Sequence, residues 1–117
     1  MSIEIFPGAK PLVRQAPPSW GEISPEGRRA VVVRFVLADR WVSFPADQFK
    51  RWEHVVGEPE LLTITAENEE IVVEGRELSE VRAALDLGRL CELRVNFPST
   101  AGARPGPQVR LITIEPA

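Results

Sequence analysis

The feature that most constrains the fold is the run Ala-Val-Val-Val-Arg-Phe-Val-Leu-Ala at residues 30–38. β-Branched and aromatic side chains of this kind favour a pleated strand, in which alternate residues point to opposite faces. Both alternating sets are mostly apolar, so the run predicts a strand that is covered on much of both faces. Asp39 and Arg40 then supply a tight turn before the apolar segment 41–44. The two segments together predict a hairpin.

The spacing of apolar residues changes after this hairpin. Phe49, Trp52 and Val55 recur at the three- to four-residue interval that is typical of one helical face. Pro45 precedes them and suits the first position of a helix. These residues predict a helical turn at about 46–54.

A second hairpin and a helix are predicted in the following part of the chain. The apolar segments 61–65 and 70–74 flank a polar turn, which is the pattern of two paired strands. Four apolar residues then recur at helical spacing and predict a helix at about 79–87. Ser79 lies in its N-cap region, and Gly88 follows it as a C-terminal cap.

Two further strands close the chain. Apolar and polar residues alternate over 91–97, with Cys91 on the apolar side, and this alternation predicts a strand with one wet face. A loop at 98–108 follows, and the segment 109–115 is the last predicted strand.

The order of these elements predicts the fold class. Strands and helices do not alternate regularly, so a doubly wound parallel sheet is not expected. We expect a mainly β (α+β) fold: a small antiparallel sheet or barrel of about six to seven strands, with one short helix and one helical turn. The chain of 117 residues fits a single domain at 1–117.

Proline marks the segments near both ends. The chain has 11 prolines, about twice the average share, and they keep residues 7–29 out of regular helix or central strand. We therefore predict an extended arm at 7–29, preceded by a short strand at 3–6. Trp20 lies within the arm, and its ring would dock the arm onto the core or onto a neighbouring subunit.

Charge and cysteine content limit the expected partners and compartment. The chain carries 14 Lys and Arg against 17 Asp and Glu, so nucleic-acid binding would need a local basic patch. Cys91 is the only cysteine, which excludes an intramolecular disulfide and favours the cytoplasm. No apolar run is long enough to cross a membrane and no export signal is visible, so neither a membrane partner nor export is expected.

No group of residues carries the pattern of a catalytic, cofactor or metal site. His54 is the only histidine, and on the predicted helical turn it points away from Phe49 and Trp52 as a surface residue. Cys91 is expected to be a buried thiol and not a nucleophile. Phosphate-binding glycine motifs and a Cys/His grouping for zinc are absent from the sequence. We therefore expect no cofactor, no metal and no enzymatic activity, and a small hydrolase that uses His54 is the weakest alternative.

Basic and aromatic residues lie close together in the first half of the chain. The basic members are Arg34, Arg40, Lys50 and Arg51, and the aromatic members include Trp41 and Trp52. Such rings and cations can form a core with flanking charges, a subunit interface, or a groove that stacks and neutralises single-stranded nucleic acid. The sequence leaves these three interpretations open.

Parts of the chain resemble a known family. The hairpin from Val33 to Phe44, the turn at Pro45 and the segment Ile71-Val72-Val73-Glu74-Gly75-Arg76-Glu77-Leu78 resemble the small Sm-like β-barrel found in bacterial proteins, over about Val31 to Val95. The resemblance implies a barrel that assembles through strand edges. Glu74 precedes Gly75 where RNA-binding members carry a basic residue, so RNA binding does not follow from it.

These patterns predict a non-enzymatic cytoplasmic interaction module that forms a homo-oligomer. Its exposed strand edges need covering, and another copy or the Pro-rich arm could cover them. The predicted contact residues are Trp20, Trp41 and Trp52. The alternative is single-stranded RNA or DNA binding, in which Arg34, Arg40, Lys50 and Arg51 contact phosphates and Trp41 or Trp52 stacks on bases.

Overall fold

Strands dominate the computed structural model, which describes residues 19–97 and 106–117. In these residues the elements are β1 (Gly21–Ile23), β2 (Val32–Val36), β3 (Trp41–Pro45), a 3-10 turn (Ala46–Gln48), β4 (Arg51–Val55), β5 (Glu60–Thr65), β6 (Glu69–Arg76), α1 (Ser79–Asp86), β7 (Leu90–Arg94) and β8 (Gln108–Pro116). The predicted mainly β (α+β) class is confirmed. The strand predicted at 3–6, the arm up to residue 18 and the loop at 98–105 lie outside the described residues.

Sheet 1 has the strand order β1-β7-β2-β3. The predicted hairpin is confirmed, because β2 and β3 pair antiparallel with Val36 opposite Trp41. One pair departs from the antiparallel sheet that was expected, since β2 and β7 run parallel. The two strands enter the sheet from the same end, where the Ala30 N–H donates to the Gly88 carbonyl at 2.8 Å. The first residues of β2 and β7 therefore lie at the same end of sheet 1.

Sheet 2 is antiparallel throughout, in the order β4-β5-β6-β8. The predicted second hairpin (β5 and β6) and the predicted last strand (β8) are confirmed. The eight strands of the described residues thus form two separate four-stranded sheets and not one sheet or a barrel of about six to seven strands. β8 covers the edge that β6 would otherwise expose.

The helical turn predicted at 46–54 is wrong over most of its length. Only Ala46–Gln48 form a turn of 3-10 helix, and the residues after it form β4. Trp52 lies opposite Ile64 and His54 lies opposite Leu62 on β5, so both side chains face inward with a two-residue period. The helix-like recurrence of Phe49, Trp52 and Val55 is incidental, because hydrogen bonding to β5 decides the local structure.

The predicted helix is confirmed as α1, whose residues Val81, Ala84 and Leu85 are buried. Its N-cap is Leu78 and not Ser79, and Leu78 has no side-chain cap of its own. Gly88 ends the helical segment with a φ of +68°, a left-handed conformation that glycine adopts without strain. In the described residues no helix is long and apolar enough to cross a membrane.

One hydrophobic core joins both sheets and the helix. The Phe35 ring is fully buried and meets Phe44 edge-on, with ring centroids 5.8 Å apart. The largest fully buried side chains besides Phe35 are Leu62, Ile64, Ile71, Leu78, Leu90, Leu93, Val73, Val81 and Val109. The helix and both sheets therefore share one packed interior.

Two strand faces differ from their predicted exposure. The second face of β2 is open, since Val32 is 46% exposed. On β7 the predicted pattern is reversed in part: Glu92 is 7% exposed, whereas Cys91 is only half-buried. β7 lies in the interior of sheet 1 between β1 and β2, and basic side chains from its own strand and from β2 cover Glu92.

Candidate functional site

The outer face of sheet 1 carries the most exposed tryptophan. Arg34 lies opposite Ser43 on β3 and opposite Glu92 on β7. Cross-strand partners point to the same side of a sheet, and this side is opposite to that of the buried Val33 and Phe35. We call this surface the Trp41 face; its members are Val32, Arg34, Trp41, Glu92 and Arg94.

Trp41 is 67% exposed although its indole is the largest apolar side chain of this face. The guanidinium carbon of Arg34 lies 5.6 Å from the centroid of the Trp41 ring, which is within the range of a cation–π contact. Val32 adds a half-exposed apolar side chain on the same face. The face therefore presents an aromatic ring, a cation and an aliphatic group to solvent.

Glu92 holds the cations of this face in place. Its carboxylate accepts from Arg34 Nη1 at 3.1 Å through Oε1 and from the Arg94 guanidinium through Oε2. Burial acts to raise the pKa of Glu92, but the hydrogen bonds from Arg94 and Arg34 outweigh it and hold the pKa below its usual value. The charged carboxylate thereby holds the Arg34 guanidinium over the Trp41 ring.

The other two candidate tryptophans lie elsewhere. Trp20 is 4% exposed and belongs to the core, where its carbonyl accepts the Arg94 N–H at 2.8 Å. Trp52 packs against the core, and its indole N–H donates to Asp86 Oδ1 at 2.8 Å. Only Trp41 among the three tryptophans presents most of its ring to solvent.

The candidate cations do not form one basic patch. Arg34 lies on β2 of sheet 1 and Arg40 lies in the turn before β3, whereas Arg51 lies on β4 of sheet 2 and Lys50 directly precedes β4. Each cation has a carboxylate partner within 4.0 Å: Arg34 with Glu92, Arg40 with Asp39, Lys50 with Glu67 and Arg51 with Glu53. Each of the four cations therefore has a carboxylate neighbour, and they do not present one continuous uncompensated patch to a ligand.

A crevice opens where the two sheets meet the end of α1. Its volume is about 450 Å³, and Val33, Phe49 and Leu90 line its floor. Its rim carries Arg29, Asp47 and Asp86. The sequence did not predict it, because its walls come from segments far apart in the chain.

Two polar arrangements shape the crevice. The Asp86 carboxylate accepts hydrogen bonds from the Trp52 indole N–H and from Arg82 Nη1, the latter at 3.1 Å. The hydrogen bond from Trp52 and the neighbouring Arg82 lower the pKa of Asp86 by more than burial raises it. The Arg29 guanidinium lies against Gly88, where even a Cβ atom would come within 2.9 Å of it. The hydrogen bond to Asp86 thereby fixes the Trp52 ring as a wall, and the exposed Arg29 side chain borders the crevice beside Gly88.

His54 is buried and does not point to solvent, so the surface position predicted for it is wrong. Its side chain is 6% exposed, and Nε2 lies 2.8 Å from Glu60 Oε1. The error follows from the helical interpretation of 46–54, because a strand places His54 on the inward side with Trp52. The same Glu60 carboxylate accepts the N–H groups of Glu77 and Leu78 at 2.9 and 3.0 Å, so the pair ties β4 and β5 to the start of α1.

Cys91 does not have the setting of a nucleophile. Its thiol is half-buried, and burial together with the nearby carboxylate of Glu22 raises its pKa. A raised thiol pKa lowers the thiolate fraction near neutral pH. Across 19–97 and 106–117 no three residues of the His, Cys, Asp or Glu type are grouped to hold a metal ion.

Comparison with known proteins finds no matching family model, no matching curated protein and no matching solved structure. The similarity to the Sm-like barrel therefore stays a prediction. The geometry of the Trp41 face, the crevice and the His54–Glu60 pair is the basis for the functional proposal.

Proposed function

We propose that this protein is a non-enzymatic interaction module that associates with further copies of itself through the Trp41 face. The observation that carries the proposal is the 67% exposure of Trp41 on an ordered sheet surface. Tryptophan and arginine are the residue types most enriched among the contacts that dominate binding energy in protein interfaces. Here the two types are already stacked on each other.

The order of this surface before binding supports the proposal. Glu92 fixes Arg34, and Arg34 in turn lies over the Trp41 ring. Side chains that are already held lose less conformational entropy on association. The face is thus prepared to bury the indole at low entropic cost.

The position of Trp41 on an edge strand supports self-association in particular. Among the described strands β3 is the last one at its end of sheet 1, and a terminal strand leaves backbone N–H and C=O groups available for a further strand. A second copy can contact the edge and the Trp41 ring together. The assembly through strand edges that the Sm-like resemblance implies is of the same kind.

The two rival functions have less support. Single-stranded nucleic acid would have to displace the carboxylate partners of Arg34, Arg40, Lys50 and Arg51, and these cations lie on two different sheets. A hydrolase would need His54 to meet its substrate, but the His54 side chain is only 6% exposed. The interaction module requires no such rearrangement.

Light scattering on a concentration series tests the proposal. The expected result is an average mass that rises above the monomer mass with concentration, and a Trp41→Ala variant that stays monomeric over the same range. Val56→Ala is the matched control, because Val56 is 77% exposed and lies outside the Trp41 face. A wild-type protein that stays monomeric throughout would contradict the proposal.

A further inference from the structure

We propose that the partner site for Trp41 is the crevice of a second copy, so that the indole of one molecule fills the space between the sheets of the next. This inference rests on the proposed function and names the site that receives the ring. It joins two features of the same chain: a tryptophan that is mostly exposed among the described residues and an apolar crevice that none of them fills. Tryptophans that dominate an interface typically insert into a pocket of the partner.

The size and lining of the crevice suit an indole. Its volume of about 450 Å³ lies within the range of about 300–1,000 Å³ that is typical of ligand pockets. Val33, Phe49, Leu85 and Leu90 give it an apolar floor, and the Trp52 ring forms one wall. A second aromatic ring can pack against Phe49 and Trp52 in an edge-on or offset geometry.

Charge complementarity favours the same partner. The crevice rim carries two carboxylates, Asp47 and Asp86, and the Arg29 guanidinium. Arg82 already pairs with Asp86 at 3.1 Å, so Asp47 is the rim carboxylate that can receive an incoming cation. Asp47 is exposed and makes no ion pair with a described residue. On the Trp41 face two guanidinium groups, Arg34 and Arg94, share the single carboxylate of Glu92, so the face keeps an excess of positive charge that would approach Asp47 when the ring enters.

The ring cannot reach the crevice of its own molecule. Trp41 and Pro45 lie at opposite ends of β3, and four steps along a strand span about 13 Å. Pro45 borders the crevice, whereas Trp41 lies on the outer face of sheet 1. A Trp41 ring in the crevice therefore comes from another copy, either reciprocally in a two-fold dimer or head to tail in a chain.

Two variants separate the inserted ring from the receiving crevice. Trp41→Ala removes the ring and leaves the crevice intact. The double variant Val31→Arg/Asp47→Arg obstructs the crevice and reverses its rim charge; Val31 is 80% exposed and Asp47 is exposed, so neither change affects the core. The matched control is Val56→Arg/Glu115→Arg, which makes the same charge change at two exposed positions outside the crevice.

Sedimentation velocity on single variants and on an equimolar mixture tests the inference. Each of the two variants should self-associate at least about 30-fold more weakly than the wild type, as expected for loss of a dominant contact. The mixture should associate at least about 10-fold more tightly than either variant alone, because one copy still offers the ring and the other the crevice. The control double variant should associate like the wild type.

The outcomes distinguish this inference from the proposed function. If the wild type never associates, the proposed function fails. If the wild type associates through Trp41 but the crevice variant associates equally well, only the crevice assignment fails, and the Trp41 faces would then meet each other. A mixture that is no tighter than the separate variants would also overturn the assignment.

Discussion

Replacing Glu60 by alanine is expected to destabilise the protein by about 2–4 kcal/mol. The Glu60 carboxylate receives three hydrogen bonds, from His54 Nε2 at 2.8 Å and from the N–H groups of Glu77 and Leu78 at 2.9 and 3.0 Å. Leu78 is the N-cap of α1 and has no side-chain cap of its own, and Glu77 is the residue before it. Glu60 therefore caps this helix from a distant strand.

The magnitude follows from the groups that the substitution leaves without a partner. Loss of a helix cap costs about 0.5–2 kcal/mol, and leaving a buried polar side chain such as His54 without its hydrogen bond costs about 1–3 kcal/mol. The two effects share one carboxylate, so their sum is an upper bound. Glu60→Gln keeps an acceptor oxygen and should cost about half as much.

Urea unfolding of Glu60→Ala beside Glu58→Ala is the suitable assay. Glu58 pairs with Arg76 at 2.6 Å, but both side chains are more than 60% exposed, so its loss should cost less than about 1 kcal/mol. Equal effects of the two substitutions would refute the capping role of Glu60.

Three further predictions concern the core, a close strand contact and acid stability. Phe35→Ala should cost about 3–5 kcal/mol in urea unfolding because the ring is fully buried; a loss below about 1 kcal/mol would contradict its position. Gly75→Ala should lower the melting temperature, since a Cβ there would lie 2.0 Å from the Gln108 carbonyl oxygen, and an unchanged melting curve would be inconsistent with the β6–β8 contact. The folded pKa of Glu92 lies below its ordinary value of 4.5, so its stabilisation is full above pH 4.5 and is lost as the pH falls through the folded pKa. In Glu92→Gln the free energy of unfolding should therefore fall less steeply as the pH is lowered below 4.5. The same steepness as in the wild type would argue against the charged state of this carboxylate.

Local patterns predicted much of the fold. The two hairpins, the helix and the last strand were predicted because alternation, turn residues and helical spacing act over a few neighbouring positions. The strand β4 was missed, since Phe49, Trp52 and Val55 recur at a helical interval, although in the strand Trp52 faces inward and Val55 outward. Pairing with β5 determines that this segment is a strand and not a helical turn, and a pattern of neighbouring residues does not indicate that pairing.

Long-range contacts explain what the sequence could not predict at the site. Trp41 was a candidate from its position in the basic and aromatic cluster, but its exposure depends on which face of β3 meets the core. The ion pair of Arg34 depends on Glu92, which is 58 residues away in the chain. The burial of Glu92 follows from the parallel pairing of β7 with β2, which a strict apolar–polar alternation does not indicate.

Quenching of tryptophan fluorescence at two protein concentrations tests the role of Trp41 most directly. The difference between the wild type and Trp41→Phe isolates the Trp41 signal, since Trp20 is buried and Trp52 is bonded to Asp86. Self-association through the Trp41 face predicts that a neutral quencher reaches Trp41 at about 1 μM protein and is excluded from it at about 1 mM. Equal accessibility of Trp41 at both concentrations would contradict it.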